Sequence, residues 1–206
     1  MPPTLPQWFR EDAWVPPPDA HATTRVGRFL RAHGLADYHA LLRRAEADPE
    51  WFYPAAFGDL DLPWPVPYHT LVDTSPGLPW ARWFVGGRTN LVDLAIERWR
   101  DAGKGDRVAL VWQGEDAAEA TWTFDELGDA VSRAAAGLRA LGVGRGDVVA
   151  LYLPMIPEAA IAFHAAARIG AIVAPAFSGY GVDALVERLR LSGAKTLASI
   201  SARKPL

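Results

Sequence analysis

Residues 142–180 read GVGRGDVVALYLPMIPEAAIAFHAAARIGAIVAPAFSGY, and this nearly apolar stretch decides the fold. Pro154 and Pro157 interrupt it, and Glu158, His164 and Arg168 fall within an arc of roughly 120° on one helix face. A membrane span needs about 20 consecutive apolar residues, so these interruptions argue against one. The stretch is better explained as a buried parallel β-α-β unit. Its predicted strand, helix and strand cover residues 147–152, 157–169 and 171–176.

The same alternation continues on both sides of this unit. Downstream, the pattern predicts a helix over 182–191 that stops at Gly193, and then a third parallel strand over 195–200. Upstream, Thr123 and Glu126 are spaced as a capping box that begins a long amphipathic helix. Alternating strands and helices are typical of a doubly wound sheet, so we expect an α/β fold.

Two further elements precede that long helix. Residues 91–100 are predicted to be helical, and 106–112 and 120–124 are predicted to pair as a hairpin. In the predicted helices, apolar residues at three- and four-residue spacing should face the core. These residues are Leu91, Leu94, Ala95, Trp99, Leu127, Val131, Ala134, Leu138, Leu141, Leu185, Val186 and Leu189.

The N-terminal part of the chain has a different composition, because most of the 17 prolines lie before Asn90. A helical period runs over 26–47 with a break at Gly34, and Pro49 occupies a position favoured in a first helical turn. Residues 60–83 are rich in proline and aromatic side chains, so we expect an extended segment that its aromatics press onto a larger body. A tryptophan-rich surface for a partner or a carbohydrate is the alternative.

The sequence also resembles a known family. GDVVALYLPMIPE from Gly146, ARIGA from Ala167 and FSGY from Phe177 resemble the AMP-forming acyl-CoA synthetases, especially the acetyl-CoA synthetases. FLRAHGLADYHALLRRAEADPEWFY and WARWFVGGRTN resemble the N-terminal extension of that group. The resemblance implies a helical and extended extension, followed by the truncated start of a doubly wound, parallel-sheet adenylate-forming domain. The implied bounds are 1–84 for the extension, 85–197 for the incomplete domain and 198–206 for a divergent tail.

The resemblance also implies a chemistry. Full-length members of this family activate a carboxylic acid with ATP and Mg²⁺ to an acyl-adenylate and transfer the acyl group to CoA. The phosphate loop, the ribose-binding segment and the C-terminal domain with its lysine have no counterpart in this chain. We therefore expect these 206 residues to hold no catalytic residue, no metal ligand and no bound cofactor, and to be inactive alone.

The one candidate site is the SGYG sequence at 178–181. It follows a predicted strand and precedes a helix, at the carboxyl end of the sheet, where α/β proteins bind ligands. The glycines allow a ligand to approach the backbone, and Asp183 is placed to cap the helix. The resemblance implies a position near the channel for the pantetheine arm of CoA, with Gly179 and Tyr180 as cofactor-binding residues. An ordinary strand–helix turn is the alternative.

Other conspicuous residues have structural explanations. The glycines of 142–147 follow a helix and open a strand, the reverse of a phosphate-binding loop, so we interpret them as a helix stop. His164 has no second ligand at metal spacing and is predicted to pack. Glu158 and Arg168 are predicted to complement the dipole of the helix between them.

The bulk composition narrows the class of partner. A net charge of −3 and a pI near 5.9 give no reason to expect nucleic acid. The absence of cysteine excludes disulfides, and the N-terminal residues lack a signal-peptide pattern, so we expect a cytoplasmic protein without membrane contact.

Two other functions stay open. The chain could be a non-catalytic interaction module or a split-enzyme subunit, in which the open strand edge near 195–200 pairs with a complementary C-terminal chain. A free-standing nucleotide-binding domain would need a strand–glycine-loop–helix fingerprint, which the chain lacks.

Overall fold

The computed structural model describes residues 17–115 and 117–200. These residues form two compact units, one ending at Leu62 and the other beginning at Pro63. The first is helical and the second combines helices with a parallel sheet, so the expected α/β class is confirmed. No helix in this described part of the chain is both long enough and apolar enough to cross a membrane.

Four helices make up the described part of the first unit. They are α1 (Ala20–Thr23), α2 (Arg25–Ala32), α3 (Tyr38–Ala47) and α4 (Pro49–Leu60). The side chains of Thr24, Asp37 and Asp48 each accept a hydrogen bond from a backbone N–H in the first turn of α2, α3 and α4, respectively. The predicted break at Gly34 and the predicted helix start at Pro49 are confirmed.

A small apolar core closes this helical unit. Phe29, Leu30 and Leu41 are buried, and Trp51 packs against them. The guanidinium carbon of Arg44 lies 3.7 Å from the centroid of the Trp51 ring, so this ring contacts the core on one side and a cation on the other. The residues of the predicted helical period therefore supply both the buried core and the arginine that lies over Trp51.

The proline-rich segment contains a short antiparallel hairpin that the sequence did not predict. β1 (Thr70–Asp73) pairs with β2 (Arg82–Val85), and a 3₁₀ turn (Leu78–Trp80) lies between them. The prolines lie outside both strands, so they remove no hydrogen bond from the ladder. Frequent prolines thus exclude a long ladder but permit one of four residues per strand.

The aromatic side chains of this segment divide into a packed set and an exposed one. The rings of Trp64, Tyr68 and Phe84 form a cluster with centroids 5.2 to 5.4 Å apart. Trp80, in the 3₁₀ turn, is 72% exposed. These three rings pack against one another within the segment, so packing onto a larger body stays a prediction for them. For Trp80 that prediction is wrong, because Trp80 lies in the exposed connection between the two strands.

The rest of the second unit alternates helices and strands. Its first elements are a π-helical turn (Asp93–Glu97), α5 (Arg98–Asp101), β3 (Val108–Gln113) and β4 (Glu119–Thr123). The remaining elements are α6 (Phe124–Ala140), β5 (Val148–Tyr152), α7 (Pro157–Arg168), β6 (Ile172–Pro175), α8 (Val182–Ser192) and β7 (Thr196–Ser199). The predicted β3–β4 hairpin and the capping box of Thr123 and Glu126 are confirmed.

The three parallel strands lie in the order β6-β5-β7. Val149 in β5 is opposite Val173 of β6 on one side and Thr196 of β7 on the other. The chain leaves β5 towards β6 and then crosses back past β5 to β7, so α7 and α8 are crossovers in opposite directions. This is the expected start of a doubly wound sheet, and in the described residues β6 and β7 each pair along one edge.

Three side chains predicted to face the core are exposed. Leu91 is 44% exposed, Leu141 70% and Val186 36%. Val92 and Ile96, which are four residues apart and each 1% exposed, face the core in place of Leu91, so the buried face lies one residue further along the helix than predicted. Leu141 lies beyond the last residue of α6, and α8 has no buried residue at all.

A network of charged side chains joins four helical segments of this unit. Arg168, predicted to serve the helix dipole, forms an ion pair with Glu97. Arg100 contacts Glu97 at 3.4 Å, Asp125 at 3.0 Å and Asp129 at 2.9 Å. The hydrogen bond that Arg100 donates to the Asp125 carboxylate is the main cause that raises the pKa of Arg100 above its usual value. The network therefore ties the π-helical turn and α5 to both α6 and α7.

Candidate functional site

The carboxyl ends of β5, β6 and β7 lie at one edge of the sheet, where α/β proteins bind ligands. The strand order reverses between β5 and β7, and their last residues, Tyr152 and Ser199, lie opposite each other. The predicted residues Gly179 and Tyr180 belong to the connection after β6, in a segment that we call the Tyr180 turn (177–181). The site is thus built from the end of the central strand and the turn after its neighbour.

Tyr152 joins the Tyr180 turn to the end of the central strand. Its hydroxyl donates a hydrogen bond of 2.8 Å to the carbonyl oxygen of Tyr180. The backbone N–H of Tyr180 donates to the carbonyl of Phe177 at 3.0 Å, which closes the turn. The sequence carried no signal for Tyr152, because an aromatic residue at the end of an apolar strand looks like part of the core.

Arg188 of α8 holds the side chain of Tyr180. Its guanidinium carbon lies 4.4 Å from the centroid of the Tyr180 ring, and its Nη2 donates a hydrogen bond of 3.1 Å to the Tyr180 hydroxyl. The ring of Phe177 packs edge-on against the same ring, with centroids 5.7 Å apart. No spacing rule links a turn residue to a helix residue eight positions later, so the sequence carried no signal for Arg188.

Gly179 leaves room for the ring of Phe177. A Cβ atom on Gly179 would lie 2.6 Å from that ring. The ring itself is 69% exposed, and Ser178 and Gly179 are exposed beside it, so the turn presents backbone and an aromatic face to solvent. The predicted cap by Asp183 is wrong, because Gly181 is the N-cap residue of α8 and no side chain caps this helix.

A cavity of about 340 Å³ lies beneath α8. Its lining includes Ala150 and Ala174 from the sheet, Ala176 from the connection after β6, and Arg188 and Leu189 from α8. Most of this lining is apolar, and Arg188 is its one charged residue among those that the structure describes. Because Arg188 also contacts Tyr180, the cavity and the Tyr180 turn share one side chain.

The loop after β5 adds an exposed apolar side chain to the same edge. Met155 is 90% exposed, and its carbonyl oxygen accepts a hydrogen bond of 2.6 Å from the indole N–H of Trp112. Trp112 belongs to β3, so the antiparallel hairpin anchors this loop from outside the parallel sheet. The loop could be predicted from the sequence but its hydrogen bond to Trp112 could not, because the two residues are 43 positions apart.

The glycines of 142–147 lie at the opposite, amino end of the sheet and serve as predicted. Gly142 follows α6 with φ of 80°, which confirms the helix stop. The carboxylate of Asp147 accepts hydrogen bonds from the N–H of Gly144 at 2.7 Å and from Nζ of Lys195 at 2.8 Å. The Lys195 bond is the larger cause that holds the pKa of Asp147 below its usual value. This loop therefore binds a side chain of the protein itself.

Metal-ligating side chains do not cluster in the described part of the chain. Within 17–115 and 117–200, no group of three or more His, Asp or Glu side chains is arranged to hold a metal ion. The imidazole Nδ1 of His164 lies 2.8 Å from the carbonyl oxygen of Ala160, and its ring packs at 5.4 Å from that of Phe163. His164 thus has the packing role that the sequence predicted.

Two family models match adjoining parts of the chain. A model described as AMP-binding enzyme matches residues 97–204, which is more than half of the chain. A second model, described as acetyl-coenzyme A synthetase N-terminus, matches residues 38–95. Together they cover α3, α4, the β1–β2 hairpin and the parallel sheet.

Individual proteins show the same similarity. The acetyl-coenzyme A synthetase of Deinococcus radiodurans is 39% identical over 187 residues, which cover 91% of this chain and 27% of that protein. The Gemmatimonas aurantiaca acetyl-coenzyme A synthetase is 42% identical over 168 residues, which cover 82% of this chain and 25% of that protein. The structure of acetoacetyl-CoA synthetase from Streptomyces lividans matches with a TM-score of 0.80 and 29% identity, covering 90% of this chain and 29% of that one. The chain thus spans about a quarter of the length of the curated relatives it matches.

Proposed function

The chain belongs to the AMP-binding enzyme family, and we propose that it is the N-terminal portion of an AMP-forming acyl-CoA synthetase of the acetyl-CoA synthetase type. The observation that carries this proposal is the 39% identity to an acetyl-coenzyme A synthetase over 91% of this chain. In the proposed organisation, residues 1–84 form the N-terminal extension, 85–197 begin the adenylate-forming domain, and 198–206 form a divergent tail.

The proposed reaction of the whole enzyme joins a carboxylic acid to CoA. The acid and ATP form an acyl-adenylate with release of pyrophosphate, and the CoA thiol then displaces AMP. ATP, Mg²⁺ and the acid are proposed to bind outside this chain, because the phosphate loop and the ribose-binding segment of the family have no counterpart in its sequence. This chain alone is therefore proposed to be inactive.

The part proposed for this chain is one wall of the CoA site. The Tyr180 turn presents exposed backbone at Ser178 and Gly179 and the exposed ring of Phe177. A pantetheine arm carries amide groups that pair with exposed backbone and a chain that lies along an apolar ring. Gly179 and Tyr180 are therefore the proposed contact residues for CoA.

A chimaera tests the proposed function directly. This chain would replace the matching 187 residues of the Deinococcus radiodurans acetyl-coenzyme A synthetase, and AMP release would be measured with ATP, acetate and CoA. We expect the chimaera to release AMP in a CoA-dependent manner and the 206-residue chain alone to release none. Activity of the isolated chain, or a folded chimaera without activity, would contradict the proposal.

A split-enzyme subunit is the second candidate, and the unpaired outer edges of β6 and β7 in the described residues favour it. Such edges pair readily with another strand, so a complementary chain could extend the sheet beyond β7. The matching C-terminal part of the relative, expressed separately, provides the test. Formation of an active complex from two separate chains would support the subunit, whereas activity found only in the covalent chimaera would count against it.

A further inference from the structure

We propose that Arg188 is a positioning residue that holds the Tyr180 turn in the shape in which it contacts CoA. This inference rests on the proposed function, because it assumes that Gly179 and Tyr180 contact CoA. Arg188 itself is not one of the proposed contact residues. Arg188 lies on α8, in the lining of the cavity beneath that helix, and reaches Tyr180 from there.

Arg188 contacts two parts of one aromatic side chain. Its guanidinium carbon lies over the Tyr180 ring at 4.4 Å, and its Nη2 donates to the hydroxyl of the same ring at 3.1 Å. A planar guanidinium can stack and donate a hydrogen bond at once, which a compact ammonium group does less well. The two contacts together fix both the position and the tilt of the ring.

Tyr180 connects these two contacts of Arg188, which we call the Arg188 clamp, to the rest of the turn. Its carbonyl oxygen accepts from the Tyr152 hydroxyl, its N–H donates to the Phe177 carbonyl, and its ring packs on the ring of Phe177. A displaced Tyr180 ring would therefore displace Phe177 and the backbone between them. The proposed ligand surface moves with Tyr180.

The residues on both sides of Tyr180 make such a clamp necessary. Gly179 and Gly181 flank it, and glycine has more backbone freedom than any other residue. The turn has one internal backbone hydrogen bond, from Tyr180 to Phe177, among the residues that the structure describes. With so little backbone restraint, side-chain contacts must supply the order of this segment, and Arg188 provides two of them.

Hydrogen exchange of the 206-residue chain tests this role. The N–H of Tyr180 reports on the turn, because its hydrogen bond breaks when the turn opens. The amides of β5 report on the whole sheet. We expect Arg188→Met to lower the protection of the Tyr180 amide by about fivefold, the factor that corresponds to an exposed cation–π contact, and to leave the β5 amides unchanged.

Matched variants identify the cause. Arg190→Met removes a second exposed arginine from α8 that has no side-chain bond in the described residues, so protection should not change. Arg188→Lys should restore part of the protection through its charge. Combined with Tyr180→Phe, Arg188→Met should cost less than in the wild type, because the hydroxyl contact is already absent. Equal effects of the Arg188 and Arg190 variants, or a loss of protection in β5, would overturn the proposal.

Pantetheine serves as the probe that separates this inference from the proposed function. In the wild type we expect millimolar pantetheine to shift the amide resonances of Ser178 and Gly179, and in Arg188→Met the half-saturating concentration should rise about fivefold. If no shift occurs in the wild type but Arg188→Met still loosens the turn, the CoA contact is wrong and the clamp stands. If pantetheine binds equally to both proteins, the positioning role is wrong and the CoA contact stands.

Discussion

The two ends of the parallel sheet are held together in different ways. At the amino end, charged side chains and backbone groups bond to one another: Asp147 with Lys195, Gly146 with Gly170, and Arg168 with Glu97. At the carboxyl end, the contacts are made by Tyr152, Tyr180 and Arg188, while Phe177 and Met155 project into solvent. The same chain segments run through both ends, so the difference comes from side chains and not from topology.

This contrast indicates that the amino end of the sheet contributes mainly to stability and the carboxyl end mainly to ligand binding. Groups at the amino end have their hydrogen-bonding capacity used by the protein itself, which favours stability. The carboxyl end leaves backbone and apolar surface uncovered, as ligand-binding loops of α/β proteins do. Substitutions at the amino end should therefore reduce the free energy of unfolding more than comparable substitutions at the carboxyl end.

The largest expected difference concerns two glutamates. Glu97 accepts from Arg168 and Arg100 with a side chain only 21% exposed, so Glu97→Ala leaves two cations without this partner. We expect Glu97→Ala to lower the free energy of unfolding by about 2–3 kcal/mol. Glu187 is exposed on α8, and Glu187→Ala should change it by less than about 0.5 kcal/mol. Urea denaturation followed by circular dichroism measures both, and equal losses would refute the contrast.

Two glycines give the next largest difference. Gly170 has φ of 74°, and a Cβ atom there would lie 3.1 Å from Cγ of Arg145, whereas Gly181 has φ of −67° and open space around it. Gly170→Ala should cost about 1–2 kcal/mol, because the left-handed backbone disfavours a side chain. Gly181→Ala should lie within about 0.5 kcal/mol of the wild type. Thermal unfolding measures both variants, and a lower melting temperature for Gly181→Ala than for Gly170→Ala would contradict this order.

The hydroxyl of Tyr152 should affect the turn more than the fold. Tyr152→Phe removes the hydrogen bond to the Tyr180 carbonyl, which is worth about 0.5–1 kcal/mol. We expect the protection of the Tyr180 amide to fall while the urea midpoint moves little. Tyr38 is 55% exposed, so Tyr38→Phe is the matched control and should change neither quantity. A large loss of global stability in Tyr152→Phe would place this hydroxyl with the amino-end contacts.

The smallest expected effect is a pH dependence at the amino end. The Lys195 hydrogen bond and the Gly144 N–H lower the pKa of Asp147 in the folded state, so the ionised carboxylate favours folding. This contribution is present above the unfolded pKa of about 3.9 and disappears as the pH falls through the lower folded pKa. The difference in melting temperature between wild type and Lys195→Met should therefore shrink from pH 6 to about pH 3. A difference that grows on acidification would show that another group dominates.

Much of the fold could be predicted from the residues because local rules determine it. The capping box at Thr123, the glycine stop at Gly142 and the apolar strand around Val149 each depend on neighbours close in sequence. Predictions failed where the local period was interrupted or ended. Val92 lies in the core in place of Leu91, at the start of its helix. The β1–β2 hairpin forms in a proline-rich segment because no proline lies within either strand.

The candidate site was predictable only in part. Gly179 and Tyr180 could be placed at a strand–helix connection, since that follows from the order of elements. The partners Tyr152 and Arg188 could not, because their contacts with Tyr180 depend on how α8 packs above the sheet.

The sequence by itself determined the alternation of strands and helices and the family, because backbone preferences and apolar periods act over a few residues. Only the tertiary structure decided the strand order, and with it which two strand ends lie side by side at the carboxyl end of the sheet. It also decided which charges meet: Glu97 and Arg168 are 71 positions apart, and Asp147 and Lys195 are 48 apart. Such pairs form when elements pack in three dimensions, and no local preference of the chain encodes that distance.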